Sequence, residues 1–295
     1  MTEPTLRRSS PLLALLASCA APDLATLRRA DGRLVAQLVH PDFVANAAAA
    51  TCKPWHELIA DDGRVLTKGL GGTFPHHRGL FAGWNQVRRG SERFDFWHCN
   101  RGESQRVRTL TQTLVAGHPR QTTTIDWCAA NGDVVVHEQR TVELHEGADG
   151  TCTLQVELQL RAADGEVQLG GDPQHAGCQF RAVQAFADEG APKVRYLRPT
   201  GARGSADDVW TDCPWIAAVL PFPDGAPVTV LRIEAGDNPP AVWSTRPYGR
   251  FGAMWSTTLR AEAPTTLRCA WVIASGDHDA AWCAAKAAAS APPPR

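Results

Sequence analysis

Ten consecutive residues, Thr151 to Leu160, constrain the fold more than any other part of this chain. Apolar residues stand at 152, 154, 156, 158 and 160, with Thr153, Gln155, Glu157 and Gln159 between them. Side chains on a strand point to alternate faces, so the pattern reads as a half-buried antiparallel strand. Runs of the same kind cover 34–39, 122–127, 134–144, 215–222, 228–233, 252–259 and 266–273. Asn131-Gly132 lies between two of them, a strong hairpin signal. Asp-Gly pairs at 31–32, 62–63, 164–165 and 224–225 supply further turns. Helix is scarce. The best candidate is 277–289, where Asp277 or Asp279 would cap an alanine-rich segment. Many short strands, with no fixed repeat and no interdomain linker, predict an all-β fold: a single large antiparallel β-sandwich. Roughly 250 residues of strand exceed the ~100 of an immunoglobulin-type domain. A larger two-sheet sandwich is expected, with loops and one concave sheet face building the site. The division is a leader over 1–26, the sandwich over 27–276, and a short helix with a disordered tail over 277–295.

Formal net charge is −1, with 43% apolar and 21% charged residues. A soluble globular chain of this balance gives no argument for nucleic acid or an anionic membrane surface as a partner. At the N-terminus, Arg7 and Arg8 precede an apolar stretch over 11–18, and Leu16-Ala17-Ser18-Cys19 resembles a bacterial lipoprotein cleavage box. One expectation is therefore export, with the chain periplasmic or lipid-anchored at Cys19. The other is a disordered leader on a cytoplasmic protein. No other segment approaches the ~20 apolar residues of a membrane helix. The nine cysteines show no C-x-x-C spacing, which argues against a zinc ribbon or a thioredoxin-type site. Disulfides are open to an exported chain, but the sequence does not reveal their pairing. Cys152 and Cys269 also read as small buried hydrophobes.

Three segments concentrate polar chemistry among glycine, proline and aromatics: Phe74-Pro75-His76-His77-Arg78-Gly79-Leu80 with Trp84-Asn85 and Asp95-Phe96-Trp97-His98; Asp172-Pro173-Gln174-His175-Ala176-Gly177; and Arg246-Pro247-Tyr248-Gly249-Arg250. Such groups are costly to bury unpaired, so the three are expected to converge on one pocket. Adjacent histidines reach one ligand only from irregular backbone, which Pro75 and Gly79 favour; otherwise one of His76 and His77 packs in the core. Read as a strand, 95–98 puts Phe96 and His98 on one face and Asp95 and Trp97 on the other. His175, in a loop with an acid three residues away, suits a general base or a metal ligand. Gln179 and Arg181 alternate with Cys178 and Phe180 and would look into a cleft. Tyr248 and Arg250 would share a strand face aimed at the same place. Arg78 would bind a carboxylate, phosphate or sugar hydroxyls, or else pair with Asp95. Tryptophan outnumbers tyrosine ten to two, and Trp84 or Trp97 would stack on a ring, although most tryptophans fill β-cores. His98, His175 and His77 are thus the candidate catalytic residues. His76, Arg78, Trp84, Asn85, Asp95, Trp97, Asp172, Gln179, Arg181, Tyr248 and Arg250 are the candidate substrate-binding residues. No cofactor is required by any motif. A divalent metal is an alternative, because His76 or His77, His98 and His175 come from separate segments and could leave an open coordination position.

These same motifs, with Lys53-Pro54-Trp55 and Thr67-Lys68-Gly69, resemble the PmoA family of bacterial proteins, a family of unknown function common in planctomycetes. The resemblance runs from about residue 27 to 275. The methane-oxygenase sense of that name does not transfer, since the monooxygenase subunit so named is a bundle of membrane helices. The resemblance implies export and association with sugar metabolism, and a fold reminiscent of the galactose mutarotase-like supersandwich. It carries over no catalytic residues. The expectation is an enzyme acting on a sugar or modified sugar by histidine acid/base chemistry: hydrolysis, elimination or epimerisation. The alternatives are a non-catalytic sugar-binding or surface module, and a metal-dependent enzyme using a histidine cluster. The expected partner is a small-molecule or carbohydrate ligand.

Overall fold

A computed structural model describes residues 23–204 and 208–293; Cys19 and nearly all of the expected leader lie outside them. The described strands form sheets of nine, eight and four strands, and their pairings are antiparallel. The alternating segment sits inside the eight-stranded sheet as Cys152–Ala162, between Val134–Glu146 and Thr265–Ser275. Leu154, Val156, Leu158 and Leu160 enter the core at no more than 4% exposure. The hairpin signal holds as well: His118–Cys128 and Val134–Glu146 pair across the turn at Asn131-Gly132.

The centre of the nine-stranded sheet runs Trp55–Leu58, Leu80–Trp84, Ala176–Arg181, Arg250–Met254, Val242–Arg246. Leu80, Ala82, Trp84, Cys178, Phe180, Phe251 and Ala253 point inward and share one core cluster with Leu154 and Leu158 of the other sheet. This face-to-face packing makes the fold a sandwich. Phe81, Gln179, Arg181 and Arg250 are turned the other way, by the alternation of strand side chains. The expected run over 252–259 is two strands. Arg250–Met254 stays in the large sheet, and Thr257–Arg260 crosses to the four-stranded one. Helix is confined mainly to Ala280–Ser290; Asp279 is its cap, accepting from Trp282 N–H at 2.8 Å. Cys283 and Ala287 seat it on Trp215, Leu231 and Val272. Among the described residues, no helix is long and apolar enough to cross a membrane. The eight described cysteines are buried free thiols, so the disulfides the sequence left open are not formed among them.

One inter-sheet contact gives the fold a pH dependence. His56 is 2% exposed, and its Nε2 lies 2.8 Å from Gln121 Oε1 of the opposite sheet. Burial, and then the charge of Arg140, push His56 down to about 3. Native His56 thus stays neutral where the unfolded chain takes up a proton. Its contribution is complete above its ordinary value of 6.5 and is lost as pH falls toward 3. The slope is about 1.4 kcal/mol per pH unit. In urea unfolding between about pH 4 and 6, His56→Gln is expected to reduce the pH slope by one proton. An equal slope would mean that the native ring is charged.

Candidate functional site

The segment 95–98 is a turn rather than a strand, because the Asp95 carboxylate takes over its backbone. Oδ1 accepts the N–H groups of Trp97 at 3.0 Å and His98 at 2.8 Å, and Oδ2 lies 2.8 Å from His98 Nδ1. Asp95 is therefore the direct partner of His98, not its opposite-face neighbour. The loop 172–175 repeats the device. Asp172 Oδ1 accepts Gln174 N–H at 2.9 Å and lies 2.9 Å from His175 Nδ1, while Asn85 Nδ2 donates to Oδ2 at 2.7 Å. Both segments read D-x-x-H, a spacing that one turn closes. Burial pushes Asp172 up, but the His175 ring, Asn85 and the Gln174 N–H together hold it down at about 2. Asp95 is likewise held below the carboxylate range by His98 and the Trp97 N–H, against its own burial.

The backbone at 75–79 is irregular, and of the two adjacent histidines only His76 joins His98 and His175, while His77, expected as a catalytic residue, packs into the interior. His77 N–H donates to Phe74 O at 3.0 Å, and Phe74 itself has a left-handed φ of 55°. Two buried lysines, which no sequence pattern singled out as site residues, fasten this turn. Lys53 donates to Trp97 O, and to His76 O at 3.1 Å. Lys68 donates to Gly71 O, and to His77 O at 3.3 Å. Burial lowers both, Lys68 to about 8.

The result is a cluster of three imidazoles. Ring centroids are 4.6 Å apart for His76 and His98, 4.9 Å for His98 and His175, and 6.0 Å for His76 and His175. One ring nitrogen from each lies within 4.8 Å of the other two. His98 and His175 each turn Nδ1 to a carboxylate; in the neutral ring Nδ1 then holds the proton and Nε2 the lone pair. His76 Nε2 is buried without a hydrogen-bonding partner among the described residues. His98 and His175 remain 24% and 29% exposed, which leaves a route from solvent. Burial, then the charges of His98 and Lys53, drive His76 down to about 3, so its ring is neutral at ordinary pH. His77 lies behind, 2% exposed, 4.2 Å from His76 and 5.6 Å from Trp97 by ring centroids. Burial keeps it neutral as well.

Several expected ligand contacts are instead supports. Trp84 is fully buried between the sheets, with Nε1 donating to Trp255 O at 2.9 Å, so it cannot stack on a ligand. Trp97 is equally buried, against Phe81 and under His77. Arg78 is 1% exposed and does not pair with Asp95. It donates to the carbonyls of Ala49 and Ala50 and lies over Trp55. Gln179, Arg181 and Arg250 are each 1% exposed. Gln179 donates to Pro173 O at 2.9 Å and Ala176 O at 2.7 Å, which braces the His175 loop. Arg250 donates to Gln179 Oε1, and to Ser244 Oγ at 2.8 Å. Arg181 donates to Tyr248 O at 2.8 Å. Instead of opening on a cleft, this polar face is taken up by Pro173 O and Ala176 O at Gln179 and by Tyr248 O at Arg181. Tyr248 does not share a strand face with Arg250; it sits in the hairpin before it and stacks on Phe74.

Residues 26–288 match the model of a family described as "Family of unknown function (DUF6807)". No curated protein matches the chain. Among solved structures it is similar to one titled "Putative kojibiose phosphorylase from human microbiome", at 9% identity and a TM-score of 0.33. That match covers 86% of this chain, which spans 28% of the other protein's length.

Proposed function

The chain belongs to the DUF6807 family of unknown function, and we propose that it is a metal-dependent enzyme whose divalent ion sits among His76, His98 and His175. One observation carries this reading: three imidazole nitrogens lie within 4.8 Å of one another. Lone pairs converging on one point repel unless a cation or proton lies between them. A triangle of that size has its centre at most about 2.8 Å from each corner, so shifts under about 1 Å reach the ~2.0–2.1 Å of a zinc–imidazole bond. Asp95 and Asp172 stand where the carboxylates of carboxylate–histidine–metal triads stand, fixing the tautomer and raising the basicity of Nε2. Three protein ligands leave a position open, as in catalytic rather than structural zinc sites. A bound ion would supply an acidified water or polarise a substrate oxygen there.

The substrate we propose is a sugar or modified sugar, undergoing hydrolysis, elimination or epimerisation. Its support is the carbohydrate association of the PmoA family that the motifs resemble. A second reading keeps His98 or His175 as a metal-free general acid/base, and the carboxylate on each Nδ1 favours it. The non-catalytic sugar-binding module has less support, because Trp84 and Trp97 offer no exposed face.

Protein stripped with chelator and then titrated with Zn²⁺ is expected to bind one equivalent, measured by calorimetry and elemental analysis. The His76→Ala/His98→Ala/His175→Ala variant is expected to bind none. Equal binding by both proteins would refute the metal site. Turnover that survives chelation would select the acid/base reading.

A further inference from the structure

We infer that Phe74 is the platform on which the substrate lies beside the histidine cluster, and that the substrate carries a six-membered ring with an apolar face. This rests on the reading of that cluster as a metal centre, and it names the substrate class the centre takes. Phe74 is 42% exposed, whereas the neighbouring aromatics Trp55, Phe81 and Trp97 are at most 2% exposed. Its ring is not loose. It stacks on Tyr248 at 5.2 Å and 29°, and the Arg181 guanidinium lies 4.6 Å from the Tyr248 ring. Arg181, Tyr248 and Phe74 thus form a layered pile with an exposed aromatic at one end. The Phe74 centroid is 6.3 Å from that of His76 and 5.9 Å from that of His77. A ring laid on Phe74 would bring its substituents to the open position of the cluster.

The backbone adds a second indication. Phenylalanine rarely adopts a left-handed φ, and its value of 55° here is unfavourable for a bulky side chain. The fold holds that conformation through the His77 N–H bond to Phe74 O, and Lys68 ties the same loop. A ring laid on this held aromatic face would remove apolar surface from water on both sides of the contact, which favours binding. The apolar face of a pyranose, a disc of C–H groups, fits such a surface.

Hydroxamates test this without knowledge of the substrate, since they chelate a metal and can carry a ring. Zn²⁺-loaded protein is expected to bind cyclohexanecarbohydroxamate about tenfold more tightly than acetohydroxamate, from the extra apolar area covered. Phe74→Asn removes the ring but keeps a residue that accepts left-handed φ. This variant is expected to hold Zn²⁺ and acetohydroxamate as the parent does and to lose the tenfold preference. Equal affinity for the two hydroxamates in the parent, or an undiminished preference in F74N, would overturn the inference while leaving the metal centre intact. If F74N fails to fold, the comparison in the parent alone decides. A parent that holds no Zn²⁺ fails the metal reading first, and this inference falls with it.

Discussion

Replacing His175 with alanine is expected to weaken Zn²⁺ binding by more than the ~10–100-fold typical of losing a partner behind a metal ligand. Asp172→Asn should fall inside that range. The difference follows from what each side chain does. His175 supplies a lone pair at the cluster, and two imidazoles cannot replace a third. Asp172 acts through His175. It lies 2.9 Å from Nδ1, sets the tautomer, and is itself held by Asn85 and the Gln174 N–H. An asparagine at 172 can still accept the Nδ1 proton, but it lacks the charge that makes Nε2 a stronger donor. The pair should therefore be non-additive: in the H175A background, D172N should change Zn²⁺ affinity little. Competition titrations against a chelator of known affinity would read all four proteins. Parent-like affinity in H175A would show that the ion, if bound, sits elsewhere. Equal and additive losses would show that Asp172 supports the loop rather than the ligand.

The site was only partly legible in the sequence, for physical reasons. The strand Cys152–Ala162 announced itself because only one of its faces is apolar. In Leu80–Trp84 every residue is buried, since loops cover the face turned from the core. No alternation then marks Trp84 as an inward residue and Phe81 as an outward one. Gln179 and Arg181 misled in the same way. Their polar face does leave the core, but what covers it is Pro173 O, Ala176 O and Tyr248 O rather than solvent. The repeated D-x-x-H was present in the sequence, and it is the signal that a strand reading of 95–98 obscured. Lys53 and Lys68 stood in motifs of the family resemblance, but nothing in the sequence marked them as supports of the histidine turn. A lysine that spends its ammonium on backbone carbonyls of a distant loop looks, in sequence, like a surface residue.

Gly177→Ala is expected to be among the most destabilising single substitutions in the chain, on the order of 4 kcal/mol or more. Gly177 has a φ of 89°, a conformation that costs an L-residue roughly 1–3 kcal/mol. A Cβ there would also stand 2.1 Å from Ala253 O and 2.6 Å from Met254 Cα. Both atoms belong to the backbone of the adjacent strand, which is locked by the Cys178–Ala253 pairing. Neither can yield as a flexible side chain would. Gly32 separates the two effects: its φ is 87°, but a methyl group there would meet nothing within 4 Å. Gly32→Ala should therefore show the conformational cost alone, about 1–2 kcal/mol. In urea denaturation the midpoint of G177A should fall well below that of G32A, or the variant should fail to accumulate folded. The consequence reaches the site. Gly177 follows His175 by two residues, and the close passage of this strand under Ala253 sets where the His175 loop emerges. Any folded G177A should bind Zn²⁺ less tightly than G32A does. Equal midpoints for the two variants would mean that the strands can separate enough to admit a methyl group, and that the His175 loop is less firmly placed than its hydrogen bonds suggest.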